Sequence, residues 1–364
     1  MQALKYLDEY RRADLALKIA DDIKRASSRP FNIMEVCGGH TMSIRKSGIH
    51  KIIGENINLI SGPGCPVCVT PARDIEKAIA LSRLDGTVIC TFGDLVRVPG
   101  ASSSLEREKA AGSDIRMVYS AYDALRFAGE ERRKDIIFIS IGFETTAPTA
   151  AAAIMQARNE GLENFSVLSL NKTMPEALRA VLGREDSNID ALICPGHVST
   201  ITGTGIYRFI VEEIGIPCCV AGFEPVDILE AIRVLTDLLE NGEKKLVNAY
   251  QRAVRKNGNM KAKAIMAEVF RACDSEWRGF GVIPASGLEI TEEYGRFDAE
   301  KKFDINVPVY TDNSGCICGD ILRGSKRPAD CGLFGSVCTP EDPKGACMVS
   351  SEGTCAAWYK YRRS

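Results

Sequence analysis

Eight short runs of branched apolar residues, each followed by a stretch with helical period, constrain this chain more than any other feature. After a charged, helical opening (MQALKYLDEYRRADLALKIADDIKRA), the runs fall at 31–36, 57–61, 88–92 and 115–119, then at 136–141, 165–170, 191–194 and 217–221. Continuous apolar runs of this length suit strands buried on both faces, and the intervening helices are the crossovers that parallel strands require. The expected fold is α/β: two tandem parallel-sheet units facing a cleft, plus a third helical and loop-rich region. The repeat of lengths and spacings puts the first unit at 29–132 and the second at 133–223. Residues 1–28 are expected as an N-terminal helix packing on the third domain, at 224–364. That domain should be helical to 271 and, past Trp277, rich in Gly, Pro and Cys. A chain of 364 residues exceeds what one core usually organises, in keeping with such a division.

Charge narrows the partners. A net charge of -2 gives no electrostatic reason for binding nucleic acid or an anionic membrane. No apolar run approaches the roughly 20 residues that span a bilayer, so a cytoplasmic protein is expected. There thiols stay reduced, and 14 cysteines then divide among core packing, metal ligation and redox work.

Six of the 14 crowd into the tail: Cys316, Cys318, Cys331, Cys338, Cys347 and Cys355. The segment is otherwise Gly-, Pro- and Ser-rich, buries little apolar surface, and needs a staple to stay ordered. Structural zinc draws on close C-x(2-4)-C pairs, and Cys316 and Cys318 are one residue apart. Irregular, wide spacing in glycine-rich turns favours an iron-sulfur centre.

The remaining candidates sit where strands end, the place where open α/β sheets bind ligands. The first strand runs into Cys37-Gly38-Gly39-His40 and the second into Gly62-Pro63-Gly64-Cys65-Pro66-Val67-Cys68. In the second unit the corresponding turns are Gly142-Phe143-Glu144-Thr145-Thr146 and Pro195-Gly196-His197. These four loops are expected to face one cleft. Cys65 and Cys68 precede a helix expected to start near residue 71, and a helix N-terminus lowers a thiol pKa, which leaves thiol redox and metal binding both open. Glu144 reads as an acid, a base or a hydrogen-bond partner, and equally as the cap of a helix beginning near Thr145. His40 and His197 lie in glycine turns, where a loop-capping role is as natural as a chemical one. Cys90, Cys194, Cys218, Cys219 and Cys273 fall in apolar patterns and are expected as core.

Taken together, EVCGGHTMSIRKSGI, GPGCPVCVTP, TFGDLVRVPG, GFETTAPTAA, PGHVSTITG, GCICGDILRG and CTPEDPKGACMVSSEGTCAAWYKY closely resemble the HypD family of nickel-iron hydrogenase maturation proteins, over residues 31–361. The resemblance implies a scaffold on which an iron carrying cyanide and carbon monoxide is assembled, with a small HypC-type chaperone and a HypE-type cyanide donor. It implies Cys37 as the principal iron thiolate and Cys65 and Cys68 as further iron ligands or a redox dithiol. A 4Fe-4S cluster would sit on Cys316, Cys331, Cys338 and Cys355, the family's C-x14-C-x6-C-x16-C pattern. Cys318 and Cys347 would be a pair able to form a disulfide beside it and to pass reducing equivalents toward Cys65 and Cys68. Two other readings stand beside the scaffold: a cluster-dependent thiol-disulfide reductase, and a zinc-stabilised binding module without redox chemistry.

Overall fold

The computed structural model describes residues 8–305, 307 and 315–362. The eight apolar runs form strands β1 (Phe31–Glu35), β2 (Ile57–Ser61), β3 (Thr87–Thr91), β4 (Asp114–Met117), β5 (Asp135–Gly142), β6 (Phe165–Asn171), β7 (Ala191–Pro195) and β8 (Cys218–Ala221). Three more follow: β9 (Leu246–Asn248), β10 (Phe270–Trp277) and β11 (Gly281–Ile290). Each of β3, β7 and β8 is buried throughout, as strands covered on both faces must be.

Two parallel sheets result, of order β2-β1-β7-β8-β9 and β4-β3-β5-β6. The fold class is the expected one, but the segmentation at 29–132 and 133–223 cuts across both sheets. The chain lays down β1 and β2, leaves to build the whole second sheet, then returns to finish the first. A strand's apolar pattern reports that it is buried, not which strand it will pair with, so sequential units were the simplest inference from a pattern both sheets share. The crossing out is made by the segment 62–71 and the helix Ala72–Ser82, whose buried Ile75, Ala78, Ile79 and Ser82 repeat at helical spacing.

Two further expectations change. The stretch 224–271 contains helices Pro225–Glu240 and Met260–Val269, but β9 between them is an edge strand of the first sheet. Residues 270–290 form an antiparallel ribbon on the flank of β6, where the Ser169 hydroxyl donates to the Leu288 carbonyl at 2.7 Å. The cysteine-rich region therefore begins near residue 315 rather than after Trp277. The expected N-terminal helix, whose residues 1–7 lie outside the described ones, appears as Ala13–Ala26. It packs through Ile19, Ala20 and Ile23 on Pro225–Glu240, a helix of the first sheet's own layer.

The tail holds only short helices, Cys318–Leu322, Ala346–Val349 and Thr354–Lys360. Ala346–Val349 packs on the helix Pro66–Val69, and Thr354–Lys360 packs on the helix Gly38–Lys46. The tail thus lies against both thiol loops. Among the described residues no helix is long and apolar enough to cross a membrane.

Candidate functional site

The carboxyl ends of both sheets open onto one cleft of about 530 Å3. Cys37, Gly64, Cys65, Phe143, Thr146 and His197 line it, so all four loops singled out in the sequence meet there. Asp94, from the short helix Gly93–Val96 after β3, and Glu352, from the tail, complete the wall.

Cys37 ends β1 in an extended conformation and N-caps the helix Gly38–Lys46. Its amide donates to Glu35 Oε2 at 3.2 Å, and the Thr41 hydroxyl donates to Glu35 Oε1. Burial pushes the Glu35 carboxyl up to about 8. The strand pattern concealed this residue, because an acid at a strand end reads as the start of a loop. Gly64 makes the juxtaposition with the second loop possible: its carbonyl accepts from Gly38 N at 3.1 Å, and a Cβ there would stand 2.1 Å from Cys37 N. On the other side a Cβ at Gly38 would stand 2.4 Å from the Glu352 carbonyl oxygen. The Cys37 thiol is 8% exposed. Burial, then the nearby Glu352 carboxyl, raises its pKa, so it is a protonated thiol until something displaces the proton.

Cys65 N-caps a separate four-residue helix, Pro66–Val69, and its Sγ accepts from Cys68 N at 3.3 Å. The helix expected near residue 71 follows as Ala72–Ser82. For Cys68 the anticipated lowering of pKa is reversed: the thiol is fully buried, and burial and then hydrogen bonds with Cys347 and Cys65 raise it. Cys347 is pushed down instead, by hydrogen bonds from Cys318 and Cys68. Cys318 in turn bonds Cys316. Five free thiols, Cys65, Cys68, Cys347, Cys318 and Cys316, therefore run in continuous contact from the cleft wall into the tail. Arg278, buried at the end of the ribbon, ties this chain down: its N–H donates to the Val69 carbonyl at 2.7 Å and its Nε to the Thr70 carbonyl at 3.0 Å. Its charge also opposes the rise in the Cys316 and Cys318 pKa values.

The other tail thiols gather around Cys355, whose pKa is raised first by burial and then by the proximity of Cys316, Cys318, Cys338 and Cys331. Two details fit sulfur ligation of a cluster. Cys338 Sγ already accepts a backbone hydrogen bond from Lys344 N at 3.3 Å, and Gly345 leaves open the space beside Cys316 Sγ, where a Cβ would come within 2.5 Å. Among the described residues no three His, Cys, Asp or Glu side chains converge on a single-ion position. A cuboidal cluster spreads its ligating sulfurs more widely than one tetrahedral ion does.

The two histidines flank one ring. Phe223 stacks on His40 at 4.7 Å and on His197 at 3.8 Å between centroids. His40 is fully buried, donates from Nε2 to the Gly222 carbonyl at 2.9 Å, and leaves Nδ1 without a hydrogen-bond partner. Burial holds its pKa down to about 4, so the ring is neutral. His197 is exposed on the cleft rim. Phe223 was not anticipated, although it follows β8 as the other site residues follow their strands. Cys90, Cys194, Cys218 and Cys219 are buried in the strands, whereas Cys273, expected with them, is half-buried on β10.

Glu144 lies behind the cleft, 3% exposed. It caps a helix, but not the one anticipated near Thr145: its Oε1 accepts from Met174 N at 3.0 Å, in the first turn of Met174–Leu182. Oε2 is buried with no hydrogen-bond partner, and burial pushes the carboxyl up to about 7. The native state therefore keeps a proton that the unfolded chain releases. The associated stability is complete below the ordinary value of 4.5 and is lost as pH rises toward 7. Glu144→Gln retains the Oε1 acceptor and is expected to remove this fall, about 3 kcal/mol between pH 4 and 8. Urea midpoints of both proteins across that range measure it; parallel curves would assign the titration elsewhere.

A two-sheet α/β scaffold that presents thiols at the carboxyl end of its first sheet, with a cysteine-rich tail clamped behind them, has the architecture of a thiol-based assembly or redox protein. Comparison with known proteins makes the class particular. Residues 14–362 match the HypD family model, described as the hydrogenase formation hypA family. The chain is 45% identical, over 99% of its length and 97% of the relative's, to hydrogenase maturation factor HypD2 of Bradyrhizobium diazoefficiens. It is 46% identical to hydrogenase maturation factor HypD of Rhizobium leguminosarum, over 99% of this chain and 96% of that one. The corresponding figure for HypD of Escherichia coli K12 is 42%, over 99% of each. The chain belongs to the HypD family of hydrogenase maturation factors.

Proposed function

We propose that this protein is the scaffold on which the iron centre of a nickel-iron hydrogenase acquires its cyanide and carbon monoxide ligands. The iron is cargo, held by Cys37 as principal thiolate with Cys65 and Cys68 as further ligands or as a dithiol reductant. The observation that carries this reading is the meeting of Cys37 and Cys65 in one cleft, their loops locked together by the Gly38–Gly64 hydrogen bond. Soft thiolates suit a low-spin ferrous ion bearing diatomic ligands, and few protein ligands allow the finished group to leave.

Iron binding must displace the proton from Cys37 Sγ. Asp94, Glu352 and His197 share the cleft and are the acceptors within it. The apolar walls, Val36, Val67, Phe92, Ile141 and Val198, keep bulk water from the bound ion. His40 acts through Phe223, whose position fixes the His197 ring. Cys316, Cys331, Cys338 and Cys355 would hold a 4Fe-4S cluster, which when bound supplies one-electron transfer. Cys347, in contact with both Cys318 and Cys68, supports thiol-disulfide exchange in this reading: a thiolate attacks one sulfur of a disulfide, the other sulfur leaves as thiolate, and the pair of electrons moves with it. The partners of this reading are a HypC-type chaperone and a HypE-type cyanide donor in the cytoplasm. The contiguous thiols are also the feature that favours the second reading, a cluster-dependent thiol-disulfide reductase.

Anaerobic co-purification with the HypC-type partner tests the proposal. Infrared bands of iron-bound cyanide and carbon monoxide, together with acid-labile sulfide in the chain alone, are the expected results. A complex that carries neither the bands nor iron beyond the cluster would sink the scaffold reading.

A further inference from the structure

A second cavity, of about 320 Å3, shares no lining residue with the cleft. It opens between β2, the edge strand of the first sheet, and the tail segment 324–330, and Trp358 forms one side. Lys326, Arg327 and Asp330 line it, with the polar side chains of Asn58, Ser61 and Thr354. The Arg45 guanidinium lies over the Trp358 ring, with Cζ 3.4 Å from the centroid.

Many of the surface cations are paired with carboxylates. Arg116, for example, sits between Asp114 and Glu131, and Arg83 is bidentate on Glu108. Among the described residues Arg45, Lys326 and Arg327 have no carboxylate at ion-pair distance. Arg327 donates from Nη2 to Asn58 Oδ1 at 2.7 Å, while Asp330 is turned to the backbone, accepting from Arg327 N at 2.7 Å. Arg45 and Arg327 are close enough to repel, and this repulsion, after burial, lowers the Arg45 pKa. Lys326 and Arg327 against Asp330 leave a formal charge of +1 on the lining of a concave, hydroxyl- and amide-lined space, and Arg45, over the Trp358 ring beside it, adds a third cation. Like charges held together beside the half-buried Arg45 are unfavourable unless an anion neutralises them.

We propose that this cavity binds a phosphate dianion, free or as the terminal group of a small phosphomonoester. A dianion can engage both lining cations and the nearby Arg45, whereas a carboxylate brings a single charge. Guanidinium forks match phosphate oxygens bidentately, and Ser61, Thr354 and Asn58 supply further hydrogen-bonding groups. Among the described residues the outer flank of β2 has no strand partner, so its backbone N–H groups are additional donors at the cavity wall. The size suits a small ligand. Bound there, the anion would join the first sheet to two tail segments, one ending at Cys331 and the other containing Cys355, and so would brace the tail.

The test is calorimetric titration of inorganic phosphate into the full chain, prepared anaerobically with its native cofactor content, at constant ionic strength. One saturable site is expected, together with a rise in the thermal midpoint. Arg327→Gln, whose side chain is exposed and outside the core, is expected to weaken binding at least tenfold and to remove the thermal shift. Lys326→Gln should weaken it less, because a lysine contributes a point charge where arginine contributes a fork. Glycerol phosphate binding at least as tightly as phosphate would identify the phosphomonoester source; binding of phosphate alone would identify the free ion. Equal binding of acetate, wild-type affinity in Arg327→Gln, or no saturation below about 10 mM would overturn the proposal.

Discussion

Replacing Cys37 with alanine is expected to abolish hydrogenase maturation while leaving in place the cluster proposed for the tail. The loss should exceed the roughly 10–100-fold that removal of an outer-shell partner costs a metal site, because the substitution removes the proposed principal ligand itself. Unfolding cannot supply the effect. Cys37 contributes a small, 8% exposed thiol, and its backbone, which Gly64 and Glu35 hold, is unchanged in alanine. The deletion should cost about 1 kcal/mol. Nor is the thiol in contact with the chain of five thiols that leads from Cys65 to Cys316. Acid-labile sulfide and the visible absorption of the variant should therefore match the wild type, while iron retention in the partner complex disappears. Loss of colour in Cys37→Ala would mean that the two sulfur groups are one site. Persistent turnover of a protein disulfide by the same variant would turn the case toward the reductase.

The sequence was most legible where its signal was local. All eight parallel strands of the expected pattern are present, because a strand such as β3, TVICT, buried on every residue, must be a continuous apolar run. The strands missed were those without that requirement. β9 is three half-buried residues, β10 alternates exposed and half-buried positions, and β11 is interrupted by Gly and Pro. Sheet membership is a long-range property: β3 pairs with β5 across 43 intervening residues, and nothing in either run distinguishes the sheets. The site divides in the same way. Cys37, Cys65 and His197 announced themselves as unusual residues in glycine turns after apolar runs. Phe223 and Arg278 did not, because each acquires its role from a partner distant in sequence: Phe223 from His40 and His197, Arg278 from the end of the Pro66–Val69 helix. The direction of the thiol pKa values was misjudged for a related reason. A helix N-terminus can be read from sequence, whereas the burial that outweighs it at Cys68 comes from the packing of Ala346–Val349 across the loop.

Gly64→Ala should be nearly as damaging as loss of Cys37, by a mechanical route. The added methyl carbon would fall 2.1 Å from Cys37 N, 2.2 Å from the Val36 carbonyl carbon and 2.4 Å from Cys37 Cα. These are backbone atoms at the end of β1, an interior strand bonded on both sides by β2 and β7, so no rotamer change can relieve the clash. Either β1 shifts against both neighbours or the segment 62–68 lifts away, breaking the Gly38–Gly64 hydrogen bond that sets Cys37 beside Cys65. Overpacking of this kind costs about 3 kcal/mol or more when backbone must move. The expected result is a marked fall in the urea midpoint together with loss of iron retention and maturation. Gly129→Ala is the matching control, since its Cβ would meet nothing within 4 Å and it lies exposed in the helix Ala121–Glu130. There the same substitution should stabilise by about 0.5–1 kcal/mol, through helix propensity, and leave maturation intact. If Gly64→Ala matched Gly129→Ala in stability and iron retention, the close approach of the two loops would have no part in holding the metal.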